Sequence, residues 1–473
     1  MRRFAGVATM LAASLGGCGS DSPTFIDAAP SFDGSIDAPI PGTVTVTTLA
    51  RCCNVEPGSP VADIAVFVIQ PDGTAGPTGR TNASGVITLD GVLPGASVTA
   101  VYPNDDDGND LVTVVAVKPG DQLRFGEAFD YYAGAETAAT ATFPIATGAW
   151  ETSISHPCGT SYVYGDNQTQ ATLWQYDSCQ GAGADFLFMQ TSADTGELFR
   201  STVLRDLEFP DGATIAIDSW TPTASLAIDV TGIPALVENA NIAVVPILNR
   251  RYTRGSWQGM TPEAGTASAT LPVPTGTDGF YTSIELERRG DVGPQVRYQV
   301  AAAAATQLQA PFTQIPWVGE VSSGGARGAA SWLKVGDQAY DGAVARVWWD
   351  RYVPDGGEGG NNEYHRWTII LPPGVTSFSW NDPPPVLAEV APTKVDNISA
   401  DVYFVDLSTA EGYDGFRALP EWVATCPDCA AFTGELTGTA TVSYSADGGE
   451  GFVSARKKPY LTGYRARATT RGR

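Results

Sequence analysis

The chain has only two histidines among its 473 residues, His156 and His365. That excludes a His-rich metal centre and leaves little room for a His-based catalytic triad. Basic residues are also scarce: 28 Lys and Arg stand against 52 Asp and Glu, a formal charge of −24. A surface so short of cations is a poor partner for nucleic acid, whose affinity comes mostly from Lys and Arg on phosphates. The apolar run from Phe4 to Leu15 is too short to cross a bilayer as a helix. No Gly-x-Ser-x-Gly elbow, Gly-Lys-Ser/Thr phosphate loop or His-x-x-Glu zinc motif occurs. No cofactor or metal is therefore expected, and no catalytic residue is assigned.

Turn formers and apolar residues are present in quantity. There are 52 Gly and 33 Pro, and 43% of residues are hydrophobic. Many breakers mean many turns and few long helices, and the apolar fraction is enough to fold. The length suggests about three domains of ~150 residues each.

Met1-Arg2-Arg3, the apolar run and Leu15-Gly16-Gly17-Cys18 form a basic, apolar and small-residue series. The segment resembles a bacterial lipoprotein signal. The resemblance implies cleavage before Cys18, acylation of Cys18 and a cell-envelope location. Gly19 after the cysteine points to the outer membrane under enteric-type sorting. Gly19 to Gly42 is rich in Ser, Asp, Pro and Gly and is expected to be a disordered tether. The membrane is thus one expected partner, through the lipid.

Six cysteines remain, an even number suited to an oxidising compartment. Cys158 and Cys179 are expected to pair, a loop closure worth roughly 3 kcal/mol in the chain-entropy account. Cys426-Pro427-Asp428-Cys429 is a CxxC, a spacing used by redox pairs and by half a zinc site. With no second CxxC and no histidine near it in sequence, it reads as a local structural disulfide. Cys52 and Cys53 form a vicinal bridge or pair elsewhere, for example with Cys426 and Cys429.

From Thr43 the pattern is β. Thr43 to Leu49 alternates at period two, and Val86 to Leu89 and Val98 to Tyr102 follow between turns such as Gln70-Pro71-Asp72-Gly73. Pro60-Val61-Ala62 before a strand, Thr81-Asn82-Ala83-Ser84-Gly85 before Val86, and Gly91-Val92-Leu93-Pro94-Gly95 before Val98 resemble a carboxypeptidase regulatory-like module. That resemblance implies a small prealbumin-like β-sandwich, usually a non-catalytic spacer or binding domain. Short strands continue beyond it, among them 171–176, 185–189, 225–230, 280–287 and 296–300. Ala343 to Trp349 and His365 to Leu371 read as two arms of a long-looped hairpin, and Thr439 to Tyr444 as a further strand.

The expected fold is all-β: a lipid-anchored tether followed by several β-sandwich domains. The divisions are 1–17 signal peptide, 18–42 tether, 43–135 regulatory-like sandwich, 136–320 β-rich domain and 321–473 C-terminal β-rich domain, with Ser322 to Ala326 as a linker. The acidic loop Asn104 to Asp110 fits a solvated turn better than a calcium loop, since it lacks the EF-hand Gly and Glu. Gly451 to Arg473, with seven basic residues and no acidic one, reads as a tail or edge strand.

Eleven tryptophans supply the candidate ligand surface. Trp348, Trp349 and Trp367 are the candidates for stacking on a sugar or another apolar ligand. Neighbours on a strand point to opposite faces, so Trp348 and Trp349 cannot share one side. Asp350, Asp355, Glu358 and Glu363 around a Gly-rich loop beside His365 are the carboxylates nearest to aromatics. The reading is a non-catalytic envelope lipoprotein that contacts a glycan or an envelope protein; the alternative is an extracellular polysaccharide hydrolase.

Overall fold

The computed structural model describes residues 39–50, 59–103, 108–126, 137–165, 167–175, 181–192, 198–249, 251–252, 255–290, 292–324, 329–354, 360–379, 390–393, 396–425, 430, 436 and 438–447. Cys18, Cys52, Cys53, Cys179, Cys426 and Cys429 lie outside them, as do the centre of the acidic loop and the basic C-terminus. Pro41–Arg473 form a single unit.

The chain is nearly all β and folds as four sandwiches. Sandwich 1 holds β1 (Gly42–Thr48), β2 (Ala65–Ile69), β3 (Ala75–Arg80), β4 (Val86–Val92), β5 (Ala96–Pro103), β6 (Asn109–Val117) and β7 (Gln122–Phe125). Its sheets are β4-β1-β7 and β3-β2-β5-β6. β1 runs antiparallel to β4 and parallel to β7. Val44, Val46 and Leu89 of one sheet meet Val66, Val98 and Val112 of the other. This is the face-to-face burial that period-two alternation dictates.

Sandwich 2 repeats the topology strand for strand. It holds β8 (Thr137–Thr142), β9 (Glu151–His156), β10 (Gly159–Tyr164), β11 (Gln170–Gln175), β12 (Gly181–Thr191), β13 (Leu198–Phe209) and β14 (Thr214–Ala216). Its sheets are β11-β8-β14 and β10-β9-β12-β13. Sandwich 3 does so again with β15 (Ala224–Thr231), β16 (Val237–Leu248), β17 (Arg251–Tyr252), β18 (Ser256–Met260), β19 (Thr266–Val273), β20 (Gly279–Arg288), β21 (Gln295–Ala302) and β22 (Gln307–Pro311). Here the third-strand position is divided between β17 and β18, both paired with β16.

Sandwich 4 holds β23 (Trp317–Gly324), β24 (Ala329–Val335), β25 (Gly342–Pro354), β26 (Gly360–Leu371), β27 (Ser377–Phe378), β28 (Asn397–Leu407) and β29 (Thr439–Ala446), with helices α1 (Gly412–Ala418) and α2 (Glu421–Thr425) between β28 and β29. The four-stranded order β26-β25-β28-β29 matches the other three. The small sheet is β23-β24-β27, so the strand beside β24 comes from ahead of the unit and runs antiparallel to it. This corrects the linker expectation: Ser322, Ser323 and Gly324 are ladder residues of β23, paired with Ser331, Ala330 and Ala329. The segment 136–320 carries two sandwiches.

Three of the four-stranded sheets fuse into one of thirteen strands that runs through sandwiches 3, 4 and 1. β21 pairs with β29 antiparallel. β26 pairs with β6 parallel, from Arg366–Asp110 to Ile370–Val114. The run Ala343-Val344-Ala345 is buried on both faces, with Val344 in the core shared with sandwich 1 and its neighbours in the core of sandwich 4. Helix α1 clamps the seam between β6 and β26. The Tyr413 hydroxyl lies 2.5 Å from the Val115 carbonyl and 3.1 Å from that of Ile370. Arg417 donates to the Ala116 carbonyl and pairs with Asp121 at 2.9 Å. The N-terminal module is therefore built into the body.

Sandwich 2 stands outside this sheet. It rests on sandwich 3 through an apolar contact of Leu187, Met189 and Leu198 with Leu248. Arg205 adds ion pairs to Asp185 of its own unit and, at 2.8 Å, to Asp278 of sandwich 3.

Candidate binding surface

Trp348, Trp349 and Trp367 are split by the fold. Trp349 is 1% exposed and Trp367 fully buried, both in the core of sandwich 4. Trp349 stacks on His365, with centroids 5.2 Å apart. The Trp367 indole donates to Thr113 Oγ1 across the seam at 2.8 Å. Neither can meet a ligand from solvent, because β23, β24 and β27 cover that face. Trp348 points the other way and is partly buried in a row with Arg346, Tyr403 and Tyr444. The rings of Tyr403 and Tyr444 stack at 5.9 Å, and the Arg346 guanidinium lies 5.0 Å above Tyr403.

Of the acidic cluster, Asp350 and Glu363 are described, and Asp350 is exposed at its pairing position with Tyr364. Asp355 and Glu358 lie outside the described residues. His365 is buried, accepts the Asn109 N–H at Nδ1 (3.1 Å) and faces Glu363 with Nε2 at 3.3 Å. An accepting Nδ1 fixes the neutral tautomer with its proton on Nε2. Burial, and then the charge of Arg351, lowers its pKa. Among the described residues, no group of three or more His, Cys, Asp and Glu is placed to hold a metal ion. No described helix is long and apolar enough to cross a membrane.

Of the eight exposed aromatics among the described residues, five lie on sandwich 2; Trp257 of sandwich 3 and Tyr352 and Tyr364 of sandwich 4 are the others. Tyr164 is 54% exposed, Trp174 52% and Trp150 50%, with Tyr162 and Phe199 also exposed. β10 turns Val163 into the core and leaves Tyr162 and Tyr164 outside, opposite Ser153 and Glu151 of β9. β11 buries Ala171, Leu173 and Gln175 and presents Gln170, Thr172 and Trp174. Ser161 Oγ donates to the Thr172 carbonyl at 3.1 Å and ties the two strands. The Gly165 N–H donates to the Trp150 carbonyl at 2.7 Å, which places Trp150 beside the end of β10.

Ser161 Oγ also lies 3.3 Å from His156 Nε2. With the hydroxyl proton directed to Thr172, its oxygen accepts from the ring, which is the reverse of general-base activation. His156 is buried against Phe186 and Phe209. Cys158, next to β10, is buried and disulfide-bonded.

No protein-family model matches the chain. No curated protein matches it. Among solved structures it is similar to the Bacillus anthracis TIE protein, at 11% identity over 58% of this chain and 50% of that one, with a TM-score of 0.15. The chain thus spans about half the length of that protein. It is similar to a Ca2+-stabilized adhesin that helps an Antarctic bacterium bind ice, at 10% identity over 78% and 95% of the two chains and a TM-score of 0.12. The fimbrial anchor protein Mfa2 from Porphyromonas gingivalis shares 11% identity over 53% and 78%, at a TM-score of 0.12.

Proposed function

We propose that the chain is a non-catalytic cell-envelope lipoprotein, held at the outer membrane by an acylated Cys18, that contacts a glycan or an envelope protein through sandwich 2. The exposed aromatics Trp150, Tyr162, Tyr164 and Trp174 carry this reading, with Tyr162 and Tyr164 on the outer face of one sheet and Trp174 on that of the other. Rigid aromatic rings offer apolar area with little side-chain entropy to lose, which suits the CH faces of sugar rings. Thr160, Thr172 and Gln170 supply neutral hydrogen-bonding groups beside them. Cys179 is the proposed disulfide partner of Cys158, and that bridge would join the segments next to β10 and β11.

The hydrolase is the second reading, favoured by Glu285. Burial, and then the neighbouring Glu287, raises its pKa to about 7, against the hydrogen bond from Tyr444 that lowers it. A carboxyl protonated near neutrality is what a general acid requires. At 8% exposure, Glu285 has little access to a polymer.

The test mixes the full chain carrying Cys18→Ser with a panel of insoluble polysaccharides and counts released reducing ends in the same tubes. Retention without release, lost in Trp174→Ala and Tyr164→Ala, is the expected result. Release of reducing ends would put the hydrolase first. No retention on any polymer would remove the glycan and leave a protein contact. The anchor is checked separately: palmitate labelling in cells should disappear in Cys18→Ser.

A further inference from the structure

Sandwich 2 has two outer faces, and the fold uses them differently. Its four-stranded sheet turns Leu187 and Met189 outward, onto Leu248 of sandwich 3. Beside them Glu151, Ser153 and Ser155 of β9 are buried, although they stand outside the core of their own unit. That face is spent on the joint with the body. The three-stranded sheet β11-β8-β14 turns its outer face to solvent instead. Ala139, Ala141, Leu173 and Ile215 point into the core, and Thr140, Gln170, Thr172, Trp174, Thr214 and Ala216 are exposed.

Strand register orders these side chains into ranks. Thr214, Thr140 and Thr172 lie side by side across β14, β8 and β11. On one side of them run Ala216, Thr142 and Gln170. On the other, Trp174 stands beside Ala138, whose carbonyl accepts the Gly212 N–H at 3.0 Å. The neighbours of the indole across this sheet are therefore small and leave room above it for a flat ligand. Trp174 is the one exposed aromatic, among the described residues, on any of the four smaller sheets.

No charged side chain stands on these ranks. The equivalent faces of the other sandwiches all carry charge: Asp90 and Arg124 in sandwich 1, Asp229 in sandwich 3 and Glu320 in sandwich 4. A ligand for the face must also suit a chain of −24. A polyanion is repelled by the chain as a whole and finds no cation here, and a polycation finds no carboxylate. Hydroxyl and amide groups exchange hydrogen bonds with sugar hydroxyls, and an indole covers the CH face of a sugar ring.

We infer that this face is the glycan contact of sandwich 2 and that its ligand is an uncharged polysaccharide, with a ring stacked on Trp174 and hydroxyls on Thr140, Thr172, Thr214 and Gln170. The inference rests on the reading of sandwich 2 as a glycan-contacting unit and narrows it to one face and one chemical class. Tyr162 and Tyr164 stand on the other sheet, across the margin where Ser161 ties β10 to β11.

The test is biolayer interferometry of the full chain carrying Cys18→Ser on immobilised polymers matched in backbone and different in charge. Hydroxyethyl cellulose is set against carboxymethyl cellulose, and dextran against diethylaminoethyl-dextran, with galactomannan as a third neutral polymer. Binding to at least one neutral polymer, unchanged between about 0.05 and 0.5 M salt, is the expected result. Trp174→Ala should weaken it about tenfold or more. Thr140→Val keeps the branched shape, removes the hydroxyl and should weaken it about threefold. Trp257→Ala and Thr270→Val, at exposed positions of sandwich 3, should leave it unchanged. Circular dichroism confirms that each variant is folded. Binding confined to a charged polymer, or abolished by salt, overturns the uncharged class and leaves a glycan contact in place. Neutral binding that survives Trp174→Ala and Thr140→Val but falls in Tyr164→Ala moves the contact to the other sheet and overturns this inference alone. No binding to any polymer overturns it together with the glycan reading.

Discussion

Sandwiches 2 and 4 share one four-stranded order and lead opposite lives. Sandwich 4 is paired along both edges, clamped to sandwich 1 by α1, and has its tryptophans Trp349 and Trp367 sealed inside. Among the described residues the four-stranded sheet of sandwich 2 joins no other sheet; the unit touches sandwich 3 through a few side chains and wears Trp150 and Trp174 on its surface. One topology therefore yields a structural keystone or a presenting unit, according to what happens at its edges. The contrast lies in the tryptophans, since Tyr352 and Tyr364 of sandwich 4 are exposed as well.

Five substitutions test that contrast. Trp367→Ala should cost about 3–5 kcal/mol, because it empties a fully buried site and removes the Thr113 bond, whereas Trp174→Ala should stay within about 0.5 kcal/mol. Chemical unfolding of the two variants separates the embedded unit from the presenting one.

The next effect depends on pH. Glu285 has its pKa raised from 4.5 to about 7 in the folded chain, so the folded state holds its proton more tightly than the unfolded one. Its contribution is complete below pH 4.5 and is lost as pH rises through 7, roughly 3 kcal/mol at most. Glu285→Gln should flatten the stability-versus-pH curve in that window. His365 acts in the opposite sense: its lowered pKa supports the fold above 6.5 and loses that support as pH falls through the folded value.

At Gly108 an added Cβ would lie 1.8 Å from the Tyr364 carbonyl oxygen, at the β6–β26 seam. Gly108→Ala should cost about 1–3 kcal/mol and raise amide exchange along β6 before it does so along β13. The smallest effect belongs to Arg205→Ala. Its ion pairs are partly exposed, so the loss should be about 1 kcal/mol or less, seen as easier proteolysis between sandwiches 2 and 3 with the thirteen-stranded sheet undisturbed.

Much of the local structure was readable in the sequence. Thr43 to Leu49 alternates because one face of β1 is buried, and the arms of the β25–β26 hairpin are marked by apolar runs on either side of a Gly-rich loop. Period two also separated Trp348 from Trp349, but it could not say which face another sheet would cover. That depends on β23, whose Ser-Ser-Gly end looked like a linker because strand ends and linkers share small polar residues. The exposed aromatics of sandwich 2 had a signal of their own. Val163 and Leu173 alternate with Tyr162, Tyr164 and Trp174, so outward aromatics follow once either strand is placed. The joints between sandwiches left no local trace, because edge pairing is made by backbone groups that every residue carries. Helices α1 and α2 are too short for a periodic pattern to stand out.

The seam between β6 and β26 has a consequence in time. Asp110 meets Arg366 across 256 residues of chain. At a synthesis rate of roughly 5–20 residues per second, β6 waits roughly 13–50 s before its neighbour exists. Throughout that interval the first sandwich has an open strand edge and lacks the Tyr413 and Arg417 clamp. A nascent chain of this protein thus has its greatest need of a chaperone at its first sandwich, and the need ends only when the last sandwich has been made.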